Sequence, residues 1–282
     1  AGAWSLDKAV AVQASAQKAR LDNACLASAP TRLCVQGQWN GASGFNGRAQ
    51  LQDLRPERFK SFFPPGMNLT TRVNAQADVS GKPNGVIQGK ANLDIAPGNL
   101  SMVTDGRTLR FTLNGGGLQA QTDGRTATAQ VKLDLAKTGQ LQADARIQDP
   151  LGAARLNGQV NAAITNLGLV SVFVPQIQDV KGQVHADVNV TGTIPKLVLR
   201  GAVRLENAGV TVPDAGLILQ DLQFAATSNG QGPLQLTGSV QSRPGQLRLN
   251  GTIDPLKPQV NLNIQGQDFQ AFNTRDIQVQ IS

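Results

Sequence analysis

The sequence predicts an all-β protein, an elongated, curled, antiparallel-rich sheet with an apolar interior groove and one or two short helices. Three observations point there. Apolar and polar residues alternate with period two over most of the chain, turn residues interrupt the alternation roughly every 8–12 positions, and one long unit occurs twice. The stretch from Gly182 to Leu222 shows the first two together. Val184, Ala186, Val188 and Val190 alternate with His185, Asp187 and Asn189, which gives an extended segment one apolar and one polar face. A turn at Gly192-Thr193-Ile194-Pro195 follows. Leu197, Leu199, Val203 and Leu205 resume the pattern, with Gly201 at one inward position. Asn207-Ala208-Gly209 reads as the next turn, Val210 and Val212 as a short strand, and Pro213-Asp214-Ala215-Gly216 as another turn.

Composition agrees with a sheet protein. Of 282 residues, 40% are hydrophobic but only 4% aromatic, with no Tyr, while Gly reaches 30. Apolar contact must come from Leu, Val, Ile and Ala on strands. Charged residues are 16% and the net charge is +7. The cations are scattered, with no basic run and no stacking aromatics, so nucleic acid is not an expected partner. No run approaches the roughly 18–20 apolar residues of a spanning helix, and no signal peptide is visible. Strand-like alternation at Trp4, Leu6, Val10 and Val12 suggests a segment of a longer protein, any anchor lying outside it. Cys25 and Cys34 are the only cysteines. A Pro-containing loop separates them, which suits a local disulfide closing a hairpin in an oxidising compartment, two buried thiols being the alternative. The sole histidine, His185, is remote, so a zinc site is not expected.

Taken in order, residues 1–46 read as Ala- and Gln-rich strands with the Cys25/Cys34 loop. Trp39 and Phe45 flank a turn at Gly41-Ala42-Ser43-Gly44. Alternation breaks from Asp53 to Phe63, where Leu54, Arg58 and Phe62 share a helical face. Pro56 suits a first turn there and Pro64-Pro65-Gly66 a stop. Strands resume at Leu69, with turns at Gly81-Lys82-Pro83, Ala96-Pro97-Gly98 and Asp105-Gly106, and run to about Ile147. The order then recurs. Gly47, Pro64 and Gly81 align with Gly158, Pro175 and Gly192 at an offset of 111, and Phe62, Val73, Ala75 and Val79 fall on Phe173, Val184, Ala186 and Val190. Residues 47–157 and 158–282 therefore read as two repeats of one continuous sheet. The second helix, Asn166 to Val174, is far more apolar than the first, as a lid, a lipid-facing element or a buried helix would be.

No catalytic constellation is present, and no enzyme or cofactor is expected. His185 alternates with apolar neighbours on a strand. Gly115-Gly116-Gly117 lies between strands and lacks the helix and Lys of a phosphate loop. Asp134, Asp144, Asp187 and Asp221 are dispersed on solvent-side positions rather than paired, and Asp105-Gly106-Arg107 and Asp123-Gly124-Arg125 read as hairpin turns. What remains is the dry face. About twenty strands at ~4.8 Å each would extend on the order of 100 Å, and twist would curl such a sheet. Too little helix exists to cover it. Either it closes as a sandwich, or it folds into a trough suited to acyl chains, which ask for apolar area and no specific hydrogen bonds.

The stretch from Gly201 to Leu222 resembles the "G-x-L-x-L-x-x-A-x-V-x-V-P-x-x-G-L-x-L-x-D-L" run of the TamB family, itself within the wider AsmA-like group. The later run from Leu234 to Gly251 is similar to that family's continuation, and Ala24-Cys25-Leu26 followed by Leu33-Cys34-Val35-Gln36-Gly37-Gln38-Trp39 resembles its upstream two-cysteine motif. The resemblance implies a periplasmic β-taco with a hydrophobic groove that conducts phospholipids between the inner and outer membranes of Gram-negative bacteria. It also implies an inner-membrane anchor and an outer-membrane barrel partner, TamA, met through parts outside these residues. On this reading Val73, Val79, Leu93, Leu109, Phe111 and Leu133 line the groove in the first repeat. Val184, Val188, Val190, Leu199, Val203, Leu205, Leu219, Leu247 and Leu249 line it in the second. The competing reading is a chaperone or assembly factor whose exposed edge strands template incoming β-strands of outer-membrane proteins. A third is a rigid periplasmic spacer with a closed core.

Overall fold

The computed structural model describes residues 3–41, 43–83, 85–104, 107–174, 176–193, 196–242, 245–254, 257, 259–273 and 278–281. Along the chain, β1 (Ser5–Leu6), β2 (Val12–Ala14), β3 (Lys18–Ser28), β4 (Thr31–Asn40) and β5 (Gly44–Leu54) precede a 3₁₀ segment, Pro56–Phe62. Next come β6 (Met67–Thr70), β7 (Val73–Gly81), β8 (Ile87–Ile95), β9 (Gly98–Thr104), β10 (Arg107–Leu113), β11 (Gly115–Thr122), β12 (Thr126–Asp134), β13 (Gly139–Gln148) and β14 (Arg155–Ile164). A 3₁₀ turn, Leu167–Leu169, runs into the short helix α1 (Val170–Phe173). The remaining strands are β15 (Gln178–Thr193), β16 (Lys196–Val212), β17 (Leu217–Asn229), β18 (Leu234–Ser242), β19 (Gly245–Asp254), β20 (Gln259–Gln267), β21 (Phe269–Asn273) and β22 (Gln278–Ile281). The protein is all-β, and 17 of these strands belong to one antiparallel sheet. The chain separates into a first unit (residues 1–101, 112–135 and 142–157) and a second (102–111, 136–141 and 158–282).

In the first unit β1 and β2 both pair with β3, and β3-β4-β5-β7-β8-β11-β12 follow as antiparallel neighbours. Their register aligns the alternating apolar residues into cross-strand rows. One row runs Leu26, Leu33, Leu51, Ala75, Leu93, Leu118, Val131. Beside it runs a row of small residues, Ala24, Val35, Ala49, Ala77, Ala91, Ala120, Ala129. The next is smaller still and includes Gly37, Gly47, Val79 and Gly89. Residues directly opposite one another are the contacts through which a sheet gains side-chain stabilisation, so these rows hold the strands in one register.

In the second unit β15 to β20 form a continuous meander of adjacent antiparallel strands. Val184, Leu205, Phe224, Gly238, Leu249 and Ile264 make one apolar row across it. The hairpin strand β21 packs across β17, β18 and β19, and Leu236 and Phe269 are buried. A separate three-stranded sheet is built from β6, β9 and β10.

Three expectations need correction. The break after residue 53 is a 3₁₀ segment that starts at Pro56, with Phe59 outside helical geometry. Asp53 still belongs to β5, where its φ of 50° forms a bulge between Leu51 and Leu54. The supposed turn at Asn207-Ala208-Gly209 is likewise a bulge within unbroken β16, with Asn207 at φ 50°. Asp221 is exposed, as expected, and occupies a third bulge at φ 49°. Asp and Asn tolerate this left-handed conformation, and each bulge adds one residue, so apolar neighbours three apart stay on one face. Finally, Gly115-Gly116-Gly117 lies inside β11 rather than between strands. Among the turns, Pro213–Ala215 closes with Gly216 at φ 62° as expected. Asp105, Gly106, Ile194 and Pro195 lie outside the described residues.

Candidate functional site

The candidate site is the apolar face. In the first unit Val73 and Leu93 sit on adjacent strands through the pairs Val73–Ile95 and Ala75–Leu93, and Leu133 faces Gly116 one strand beyond. All are half-buried, and Val79 is 42% exposed. Burial this shallow on Val and Leu means that, among the described residues, no second layer seals their side of the sheet. Leu109 and Phe111 belong instead to β10 of the small sheet. Phe111 is 7% exposed, its ring against Gly168, so it is part of a closed cluster.

In the second unit the register brings the predicted residues together. Val184 faces Leu205, Val188 faces Gly201, and Val190 faces Leu199, with Val203 opposite Ala186. Gly201 has φ +129°, and a Cβ there would collide with the Asp187 carbonyl oxygen, so only glycine fits this close strand approach. Leu219 pairs with Val210, Leu247 with Val240, and Leu249 with Gly238. The two bulges keep Leu219 in step with Leu222 and Phe224. These residues are half-buried except Val203, which is exposed.

Small residues that the sequence reading did not single out line a cavity on the first unit's dry face. Ala77, Ala91, Ala120 and Ala129, with Val79, Gly89 and Ile147, line an open cavity of about 390 Å³. Small side chains between the taller Leu row and the glycine-containing row leave that volume unfilled. The signal was present in alternations such as Thr126-Ala127-Thr128-Ala129, but alanine alone does not distinguish a floor from a filler.

The Cys25–Cys34 disulfide joins directly facing residues of β3 and β4. Cys25 is 1% exposed. Thr31 Oγ1 donates to the Asp53 carbonyl at 2.8 Å, and Arg58 donates to the Ser28 and Ala29 carbonyls and to Ser28 Oγ. The 3₁₀ segment is thereby tied to the tip of the closed hairpin. Asn166 caps the second helical segment, its side chain accepting from the Gly168 N–H at 2.9 Å.

The opposite face is polar. Arg48 pairs with Asp78, whose other carboxylate oxygen accepts from Gln76 at 3.1 Å. The Arg48 hydrogen bond, then that from Gln76, holds the Asp78 carboxyl below its ordinary range. His185 is exposed on its strand. Among the described residues there is no cluster of three metal-ligating side chains and no helix long and apolar enough to cross a membrane.

Against known proteins, the family model described as the TamB N-terminal domain matches residues 1–205. The chain belongs to the TamB family. Membership makes it a protein of the Gram-negative cell envelope, in a family of transport and assembly modules. No solved structure matches the chain. In this TamB-family chain the matched residues span the disulfide hairpin, the alanine-floored cavity and β15, and they reach Leu205 in β16.

Proposed function

We propose that this TamB-family segment conducts phospholipids between the inner and outer membranes, their acyl chains lying against the dry face. The observation that carries the reading is the half-exposed state of aligned Val, Leu and Ala rows spanning many strands. Water-exposed apolar area of that extent costs roughly 25 cal/mol per Å² relative to burial, and an acyl chain relieves it without asking for hydrogen bonds. On this reading the segment works in the periplasm. The inner-membrane anchor and the surface that meets TamA lie in other parts of the protein. The disulfide suits an oxidising compartment.

Purified protein is expected to carry phospholipid detectable by mass spectrometry of the extract. Leu205→Arg places a charge in the row Val184–Leu205–Phe224 and is expected to cut lipid transfer about tenfold or more with an unchanged circular dichroism spectrum. Protein free of lipid, together with full transfer by the arginine variant, would falsify the reading.

A second reading, strand templating for outer-membrane proteins, is favoured by β20. Among the described residues β20 pairs only with β19. Its Val260, Leu262 and Ile264 alternate and are exposed, Ile264 by 55%. Such an edge accepts a further strand. Photocrosslinkers at Ile264 capture polypeptide on this reading, whereas crosslinkers at Ala91 capture acyl chains on the first.

A further inference from the structure

The face opposite the alanine floor carries a second concavity that the lipid reading leaves unused. Within the first unit, an open trough of about 720 Å³ lies over β5, β7, β8, β11 and β12. Its central row is made of carboxamides. Gln50, Gln76, Asn92, Gln119 and Gln130 face one another in succession across those five strands. Gln76 donates to Asp78, but the side chains of Gln50, Asn92, Gln119 and Gln130 make no hydrogen bond within the described chain. In the adjoining row Gly117 contributes no side chain. A Cβ there would stand 2.7 Å from the Leu93 carbonyl oxygen, so the strands approach closely and the floor stays low. The charged groups in the trough are Asp53, Asp94 and Lys132, a balance that does not favour a polyanion.

We propose that this trough binds an extended, neutral glycan whose chain runs across the strands. A carboxamide offers two donors and an acceptor, the complement of hydroxyl and acetamido groups, which both donate and accept. Neighbouring strands lie about 4.8 Å apart, close to the advance of one pyranose along an extended β-1,4 chain. The row thus presents one amide per sugar over five consecutive residues of the glycan. The volume falls within the roughly 300–1,000 Å³ of ligand sites. A lipid tail leaves the amide row without hydrogen-bond partners, and a phosphorylated ligand finds two carboxylates against one ammonium. The site is independent of the acyl-chain reading, since its side chains point away from the dry face.

The test is binding of β-1,4-linked N-acetylglucosamine oligomers to the full chain, by calorimetry. The hexamer is expected to bind at least tenfold more tightly than the dimer, because only the longer chain spans the row. Asn92→Ala and Gln119→Ala are each expected to weaken the hexamer roughly three- to tenfold, the loss of one or two hydrogen bonds. Leu205→Arg, on the other face and in the second unit, is expected to leave hexamer binding unchanged. Absence of hexamer binding overturns the proposal, as does affinity independent of chain length or insensitive to both alanine variants. Phospholipid transfer measured on Asn92→Ala separates the two readings, because that variant leaves the acyl-chain surface intact.

Discussion

The two units build an apolar sheet face from the same alternation and treat it differently. The first leaves it open. Its rows descend from Leu through Ala to Gly, and a cavity remains over the alanine floor. At its disulfide-closed hairpin Cys25, Ser28 and Thr31 are enclosed. The second unit covers part of its face. There β21 packs across β17, β18 and β19, with Leu236 and Phe269 buried, and Phe111 joins a closed cluster beside Gly168. The lesson is that alternation specifies a dry face but not its cover. A cover needs an additional segment long enough to lie across the strands, and among the described residues β21 supplies one in the second unit. The first unit joins β3 to β4 covalently.

This contrast can be broken most directly in the closed cluster. Phe111→Ala is expected to cost about 3–4 kcal/mol, the loss of a buried aromatic side chain plus the cavity left behind. Val79→Ala on the open face is expected to cost below about 1 kcal/mol, since a large part of the residue is in water already. Denaturant unfolding of the two variants measures the difference. Equal losses would show that Val79 is as enclosed as Phe111 and remove the distinction between open and covered faces.

A smaller effect is expected from the covalent tie. Replacing Cys25 and Cys34 together by Ser is expected to destabilise the first unit by about 2–3 kcal/mol, the loop entropy returned to the unfolded chain. Native-state hydrogen exchange should show this loss in β3 and β4 and not in β18 or β19. A uniform loss across the chain would mean that the staple serves both units alike.

The smallest effect is electrostatic. Because the Asp78 carboxyl is held below its ordinary range, its tie to Arg48 is fully present above the unfolded carboxylate value near 3.9 and is lost as pH falls through the lower folded value. The group lies at the surface, so the contribution is small and screened by salt. Stability of Asp78→Asn should therefore differ slightly from the parent at pH 7 and converge with it as pH falls through the lowered folded value. A gap that widens on acidification would contradict the pairing.

Much of this architecture was legible beforehand, for identifiable reasons. Period-two alternation in Val184–Val190 and Leu197–Leu205 requires an extended segment with one dry face, whatever surrounds it. The Pro-containing loop between Cys25 and Cys34 marked the hairpin that the disulfide closes. The bulges were hidden. Asn207 and Asp221 carry the same residue types that terminate strands, and whether such a residue turns the chain or merely adds a kink depends on the partner strand. Pairing of Leu205 with Phe224 and of Ala208 with Leu222 keeps β16 intact. The trough of amides was hidden in another way. Gln76, Asn92 and Gln119 are distant in sequence, and each alone is an ordinary solvent-side position.

The sequence by itself determined the all-β class, the dry and wet faces of each strand and the turns at Pro213–Gly216 and Asp123–Gly124, because these rest on neighbours within a few residues. Tertiary structure alone decided which rows stand side by side, where small residues line up into a floor, and which stretch of the face receives a cover. Those outcomes depend on register between strands far apart in the chain. A shift of one residue would exchange every inward side chain for an outward one.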